Sequence, residues 1–71
     1  MNTPDSTKVV LTAEGFADIP AAVDFLSVSR ATVYKLMDIG ELPYAKFGKS
    51  RRIPWAALRE YASRCLVGTR E

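Results

Sequence analysis

Apolar positions recur along this chain at two different spacings, and the change from one to the other marks out its elements. Ile19, Ala22, Val23 and Leu26 repeat at helical intervals with Phe25 beside them, which predicts a helix of about two turns. Asp18 stands at the N-cap position, and Pro20 falls in the first turn, where a missing N–H costs little. Ser27-Val28 interrupts the pattern. It resumes with Val33, Leu36 and Met37 turned inward, predicting a second helix over Ser29–Ile39. Ser29 is expected to cap it by accepting from the N–H of Ala31 or Thr32. Gly40 is the C′ residue, and Pro43 prevents continuation.

Beyond that point the spacing shortens. Leu42–Phe47 is extended in character, Gly48-Lys49-Ser50 makes a turn and Arg51-Arg52-Ile53 returns. Alternation places Ala45, Phe47 and Ile53 inward and Tyr44, Lys46 and Arg52 outward, with Lys49, Ser50 and Arg51 at the tip. Pro54 then opens a third helix, Trp55–Leu66, with Trp55, Leu58, Ala62 and Cys65 on one face and Tyr61 adjacent. Ahead of all this, Met1–Lys8 is polar and aperiodic, and reads as a frayed end. Val9-Val10-Leu11 fits either a short edge strand or a segment lying on the core.

Helix, helix, hairpin, helix is the order of a winged helix-turn-helix, a mainly α fold with a small β-hairpin. The expected division is an N-terminal extension over residues 1–15, partly disordered, and the winged domain over 16–71. Seventy-one residues support a single core, and 48% hydrophobic with 25% charged residues is ordinary globular composition. No apolar run approaches the roughly 20 residues of a membrane span. The start lacks the basic and apolar regions of a signal peptide, so a cytoplasmic location is expected and no membrane partner.

Candidate chemistry is sparse. The chain has no histidine, and its one cysteine, Cys65, provides neither an internal disulfide nor a metal-binding spacing. Nothing groups residues suited to catalysis, so no enzymatic activity and no cofactor or metal are expected.

Charge is more informative than its total. The net charge is only +2, yet between Arg30 and Arg52 six basic residues face two acidic ones, leaving −2 for the rest. Concentrated positive charge suits a polyanion. A reader of the major groove needs small or hydrogen-bonding residues where its helix begins, and Arg30, Ala31 and Thr32 have that character. Lys35, one turn beyond Ala31, serves bases or backbone from the same side. Ser29 caps the helix and lies near a phosphate position. Tyr34 either packs on the first helix or bonds a phosphate. On the wing, Lys49, Ser50, Arg51 and Arg52 suit the adjacent minor groove, where a narrow A·T-rich sequence concentrates negative potential. Lys46 faces the backbone. The alternative for the wing is an edge hairpin protected by charge.

The stretch from Phe25 to Tyr61 contains V-S-R-A-T-V-Y-K, then G-E-L-P, then R-R-I-P followed by a helix. In that order and spacing it resembles the excisionase family of small DNA-binding proteins, whose fold is similar to the MerR winged-helix head. The resemblance covers about Asp18 to Arg64, departing where Pro20 stands early in the first helix and Ser27 stands in place of a glycine. It implies a recombination directionality factor without catalysis, which binds repeated sites, bends DNA and helps a tyrosine integrase excise a phage or other mobile element in a bacterial cell. It maps Ser29, Arg30, Ala31, Thr32, Tyr34 and Lys35 to the recognition helix, and Lys49, Ser50, Arg51 and Arg52 to the wing. So small a module needs neighbouring copies for useful affinity, with Val9-Val10-Leu11 and Leu66-Val67 as candidate contacts between protomers. A small transcriptional regulator and a protein-interaction adaptor of the same fold are the alternatives.

Overall fold

Three helices and three short strands follow one another in the computed structural model, which describes residues 12–68. They are β1 (Phe16–Ala17), α1 (Ile19–Leu26), α2 (Arg30–Asp38), β2 (Ala45–Phe47), β3 (Ser50–Pro54) and α3 (Trp55–Cys65). The fold is a winged helix-turn-helix with three helices and a small antiparallel sheet. Val9-Val10-Leu11 lies outside the described residues.

Local chemistry accounts for the ends of the first two helices. The Asp18 carboxylate accepts from the Ala21 N–H at 2.9 Å, and Pro20 occupies the first turn of α1. Ser27 closes α1 in the left-handed region at φ 58°, with its N–H donating to the Val23 carbonyl. Ser29 caps α2 by accepting from the Thr32 N–H at 3.1 Å. At its far end Gly40 takes φ 86°, so that its own N–H reaches the Met37 carbonyl and the Glu41 N–H reaches that of Leu36. That pair of bonds is a Schellman termination, which satisfies carbonyls the helix leaves open. Leu42 follows it directly into the core.

The sheet has the order β1-β3-β2, so β3 pairs on both sides. Phe16 lies opposite Pro54 and Ala17 opposite Ile53. On the other side Ala45 meets Arg52, Lys46 meets Arg51 and Phe47 meets Ser50. Two residues, Gly48 and Lys49, therefore make the turn, with Gly48 at φ 64°. The three-residue turn expected from the sequence would have set Ala45 opposite Ile53. The observed register is one residue different, and in a strand that moves side chains to the other face. Ala45 and Phe47 consequently share a face with Arg52 and Phe16, while Ile53 shares its face with Ala17 and Arg51.

This corrects the expected orientations. Phe47 is 54% exposed rather than inward, and its ring meets Phe16 edge-on with centroids 5.3 Å apart. Ala45 is only half-buried, and Arg52, expected to point outward, is half-buried as well. Tyr44 is exposed, as expected; Lys46 is exposed too, but it pairs with Arg51 and so lies on the Ile53 face rather than the opposite one. Strand β1 had no counterpart in the sequence pattern, because two residues are too few to show alternation. It is held in place by the Gly15 carbonyl, which accepts from the Trp55 N–H at 3.1 Å, and by an ion pair between Glu14 and Arg59.

The core lies between the sheet and the helices. Ile19 and Ala22 of α1, the expected Val33, Leu36 and Met37 of α2, Ile53 of β3, and Ala57 and Leu58 of α3 meet there. The inward face of α3 thus differs from the one read from spacing: Trp55 and Ala62 are half-buried, and Cys65 is exposed. The first turns of α3 meet the sheet and α1, and its last turn borders a groove against α1. The helix ends at Cys65, with Leu66 as its C-cap residue. Leu66 and Val67 are exposed.

Candidate nucleic-acid interface

The exposed start of α2 is built from its own cap. Ser29 Oγ accepts from the Thr32 N–H and also shares a hydrogen bond of 2.9 Å with the Thr32 hydroxyl. Both hydroxyls are therefore committed to the helix end, and Thr32 is exposed there. Arg30 and Ala31 are exposed beside them, and Lys35 is exposed one turn on. These positions bring together on one helix the residues that the sequence assigned to recognition.

Tyr34 does not stand apart from this cluster. Its half-buried ring has the Arg30 guanidinium 5.7 Å from its centroid and the Arg51 guanidinium at 5.3 Å. Arg51 lies still closer to Tyr44, at 4.7 Å, and donates to Asp38 Oδ1 across 3.5 Å. Its side chain is 28% exposed against 66% for Asp38. An ion pair of that length and exposure is worth under about 1 kcal/mol. Each cation–π contact adds roughly 0.5–1 kcal/mol.

The wing's remaining candidates are placed differently from one another. Lys49 is in the turn, Ser50 opens β3 opposite Phe47, and Lys46 stands on β2; all three are exposed. Arg51 was expected at the tip and is found lying back against α2, because it shares a strand face with buried Ile53. Arg52 donates to the Arg51 carbonyl at 3.2 Å. The tip thus carries a lysine rather than an arginine.

The two acidic residues within the basic segment are both engaged. Asp38 holds Arg51, and Glu41 pairs with Arg64 of α3 at 3.4 Å. Arg30, Lys35, Lys46 and Lys49 of the same segment are exposed. Sequence reasoning missed Asp38 and Tyr44 as parts of this face. Tyr34 and Asp38 stand four residues apart on α2, a spacing that shares a helix face, but their partner depends on the hairpin register.

Off this face, the Tyr61 phenol is held above its ordinary value of 10.0, chiefly by its hydrogen bond with the Cys65 side chain. A groove of about 370 Å³ runs between α1 and α3, lined by Phe25, Leu26, Val28 and Tyr61 among others. Among the described residues no group of three or more His, Cys, Asp or Glu could hold a metal ion. No helix among them is long and apolar enough to cross a membrane.

Over 40 residues the chain is 42% identical to a Mycobacterium tuberculosis protein named "Putative antitoxin VapB50". That match takes in 56% of this chain and 31% of the relative, so the chain spans about a third of the length of the curated relative it matches. No solved structure matches. The family described as "Helix-turn-helix domain" matches residues 18–66, from the N-cap of α1 to the C-cap of α3. With caps, paired helices and wing all inside that span, the chain belongs to the helix-turn-helix domain family.

Proposed function

We propose that this chain binds double-stranded DNA sequence-specifically, with the start of α2 in the major groove and the wing along the neighbouring backbone. The observation that carries this is the exposed first turn of α2, with Arg30 and Ala31 presented beside a Ser29–Thr32 cap and a basic hairpin attached alongside. Ala31 and Thr32 address base edges, Arg30 and Lys35 reach bases or the phosphates beside them, and Ser29 and Tyr34 address phosphate. Lys46, Lys49, Ser50 and Arg52 make the wing's contribution. A lysine at the tip serves as a point charge for phosphate rather than a fork inserted into a narrow groove.

The finer role is excisionase: cooperative binding to repeated sites, bending of the DNA and direction of a tyrosine integrase toward excision, in the nucleoid of a bacterial cell. It is supported by the ordered motifs from Val28 to Pro54 and by a family that includes excisionase-like proteins. An operator-binding regulator is the second reading. It is favoured by the 42% match to a protein named as an antitoxin rather than as a recombination factor.

Footprinting on the DNA flanking the chain's own gene, with and without the integrase, separates the two. The excisionase reading expects several protected repeats beside an attachment core and stimulated excision. One protected site over a promoter, without stimulation, would establish the regulator instead.

A further inference from the structure

We infer that Arg51 is a positioning residue: its guanidinium fixes the wing against the recognition helix and does not itself enter a DNA groove. The inference rests on the DNA-binding reading for its functional consequence, but the contact it concerns exists in the free protein.

Three observations converge on it. The first is direction. Arg51 lies two residues before Ile53 on β3, so both side chains leave the same strand face, and Ile53 is fully buried. From that face Arg51 reaches α2, two residues beyond the turn, whereas its cross-strand partner Lys46 on the same face stays exposed. The second is the set of partners. One guanidinium on β3 reaches Tyr34 and Asp38 on α2 and Tyr44 in the connection between α2 and β2. It therefore joins the recognition helix, the loop that leaves it and the returning strand of the wing. The third is exposure, since the Arg51 side chain is 28% exposed while Lys49 and Lys46 stand open to solvent.

The chemistry of the contact requires arginine. A planar guanidinium can stack against two rings and still donate from its edge to a carboxylate; a compact ammonium cannot do both. To reach a phosphate, Arg51 would have to leave Tyr34, Tyr44 and Asp38 together. Held in place, it sets the span between the start of α2 and Lys49 at the tip, so that helix and wing meet the duplex as one preorganised surface.

The test is a mutant cycle on the whole chain, using a duplex from the DNA flanking its own gene. Lys49→Gln alone should weaken binding about fivefold near 0.15 M salt, the worth of one phosphate contact. Arg51→Gln should weaken it at least as much, and adding Lys49→Gln should then cost less than about twofold, because the misplaced wing no longer delivers that contact. Arg51→Lys should behave like Arg51→Gln. Tyr44→Leu, which removes the nearer ring and leaves every charge, should weaken binding too. Restoration by Arg51→Lys, multiplying losses in the double variant, or full binding by Tyr44→Leu would overturn the inference. Amide exchange on the free protein provides the arm that needs no DNA. Amides of residues 45–53 should exchange faster in Arg51→Gln and Arg51→Lys, and unchanged exchange would overturn the tether. If the wild-type chain binds no duplex, the DNA-binding reading fails, and the exchange result alone decides whether Arg51 holds the wing.

Discussion

Phe47 lies directly across the hairpin from Ser50, which leaves Gly48 and Lys49 alone to reverse the chain. A two-residue turn of this kind needs a left-handed residue at its first position, and Gly48 provides it at φ 64°. Gly48→Ala should therefore lower stability by about 1 kcal/mol. In a domain of this size that shifts the thermal midpoint by roughly 4–8 °C, readable by circular dichroism.

Ser27 presents the converse case. It occupies the left-handed region at φ 58° where α1 turns toward α2, and serine lacks glycine's freedom there. Ser27→Gly should stabilise the protein by a few tenths to about 1 kcal/mol, net of the added freedom of the unfolded chain. Urea denaturation measures it; an unchanged or lower midpoint would show that the Ser27 side chain contributes more than its backbone costs.

Ser29 and Thr32 are coupled, so their substitutions should not be independent. Ser29→Ala removes the acceptor for the Thr32 N–H and the partner of its hydroxyl, and should cost about 1 kcal/mol of stability. Thr32→Ala removes a methyl that suits a thymine, and should change the order of preference among DNA sites. Lys46→Ala should instead weaken all sequences alike, by about fivefold near 0.15 M salt. Competition binding across a small panel of duplexes distinguishes these patterns.

Salt dependence reads the number of phosphates engaged. With Arg30, Lys35, Lys46 and Lys49 as the exposed cations of the face, log affinity against log salt should fall with a slope of about −3.6 if each meets one phosphate. Replacing Lys46 or Lys49 should reduce the slope by about 0.9 each. A flat titration would remove DNA from the account and favour the adaptor.

What could be read in the sequence divides along a physical line. Caps and terminations are local: Asp18, Ser29 and Gly40 act within three or four residues, and each is found doing what its side chain or backbone freedom implies. The buried Val33, Leu36 and Met37 follow from helical spacing in the same way. Strand faces are not local in this sense, because the difference between a two- and a three-residue turn rests on one backbone angle at Gly48. That single residue moved Phe47 out of the core and turned Arg51 toward Tyr34. On α3 Leu58 was identified and Ala57 was not, because which apolar positions meet the body of the protein depends on where the helix docks. Ala57 and Leu58 are buried there, and Cys65 is exposed. Within the site, the start of α2 was legible and the partners of Arg51 were not.

Strand β3 gathers functions that larger domains spread over separate segments. In five residues it pairs with both neighbouring strands, buries Ile53, carries Arg51 to the recognition helix and ends on the Pro54 that starts α3. Few substitutions there can alter DNA grip while sparing stability, so variation that retunes target choice has its freest ground in Arg30, Ala31 and Lys35. The two ends of the interface therefore differ in evolvability: one is a frame that resists drift, and the other is a short alphabet that can be rewritten without rebuilding the fold.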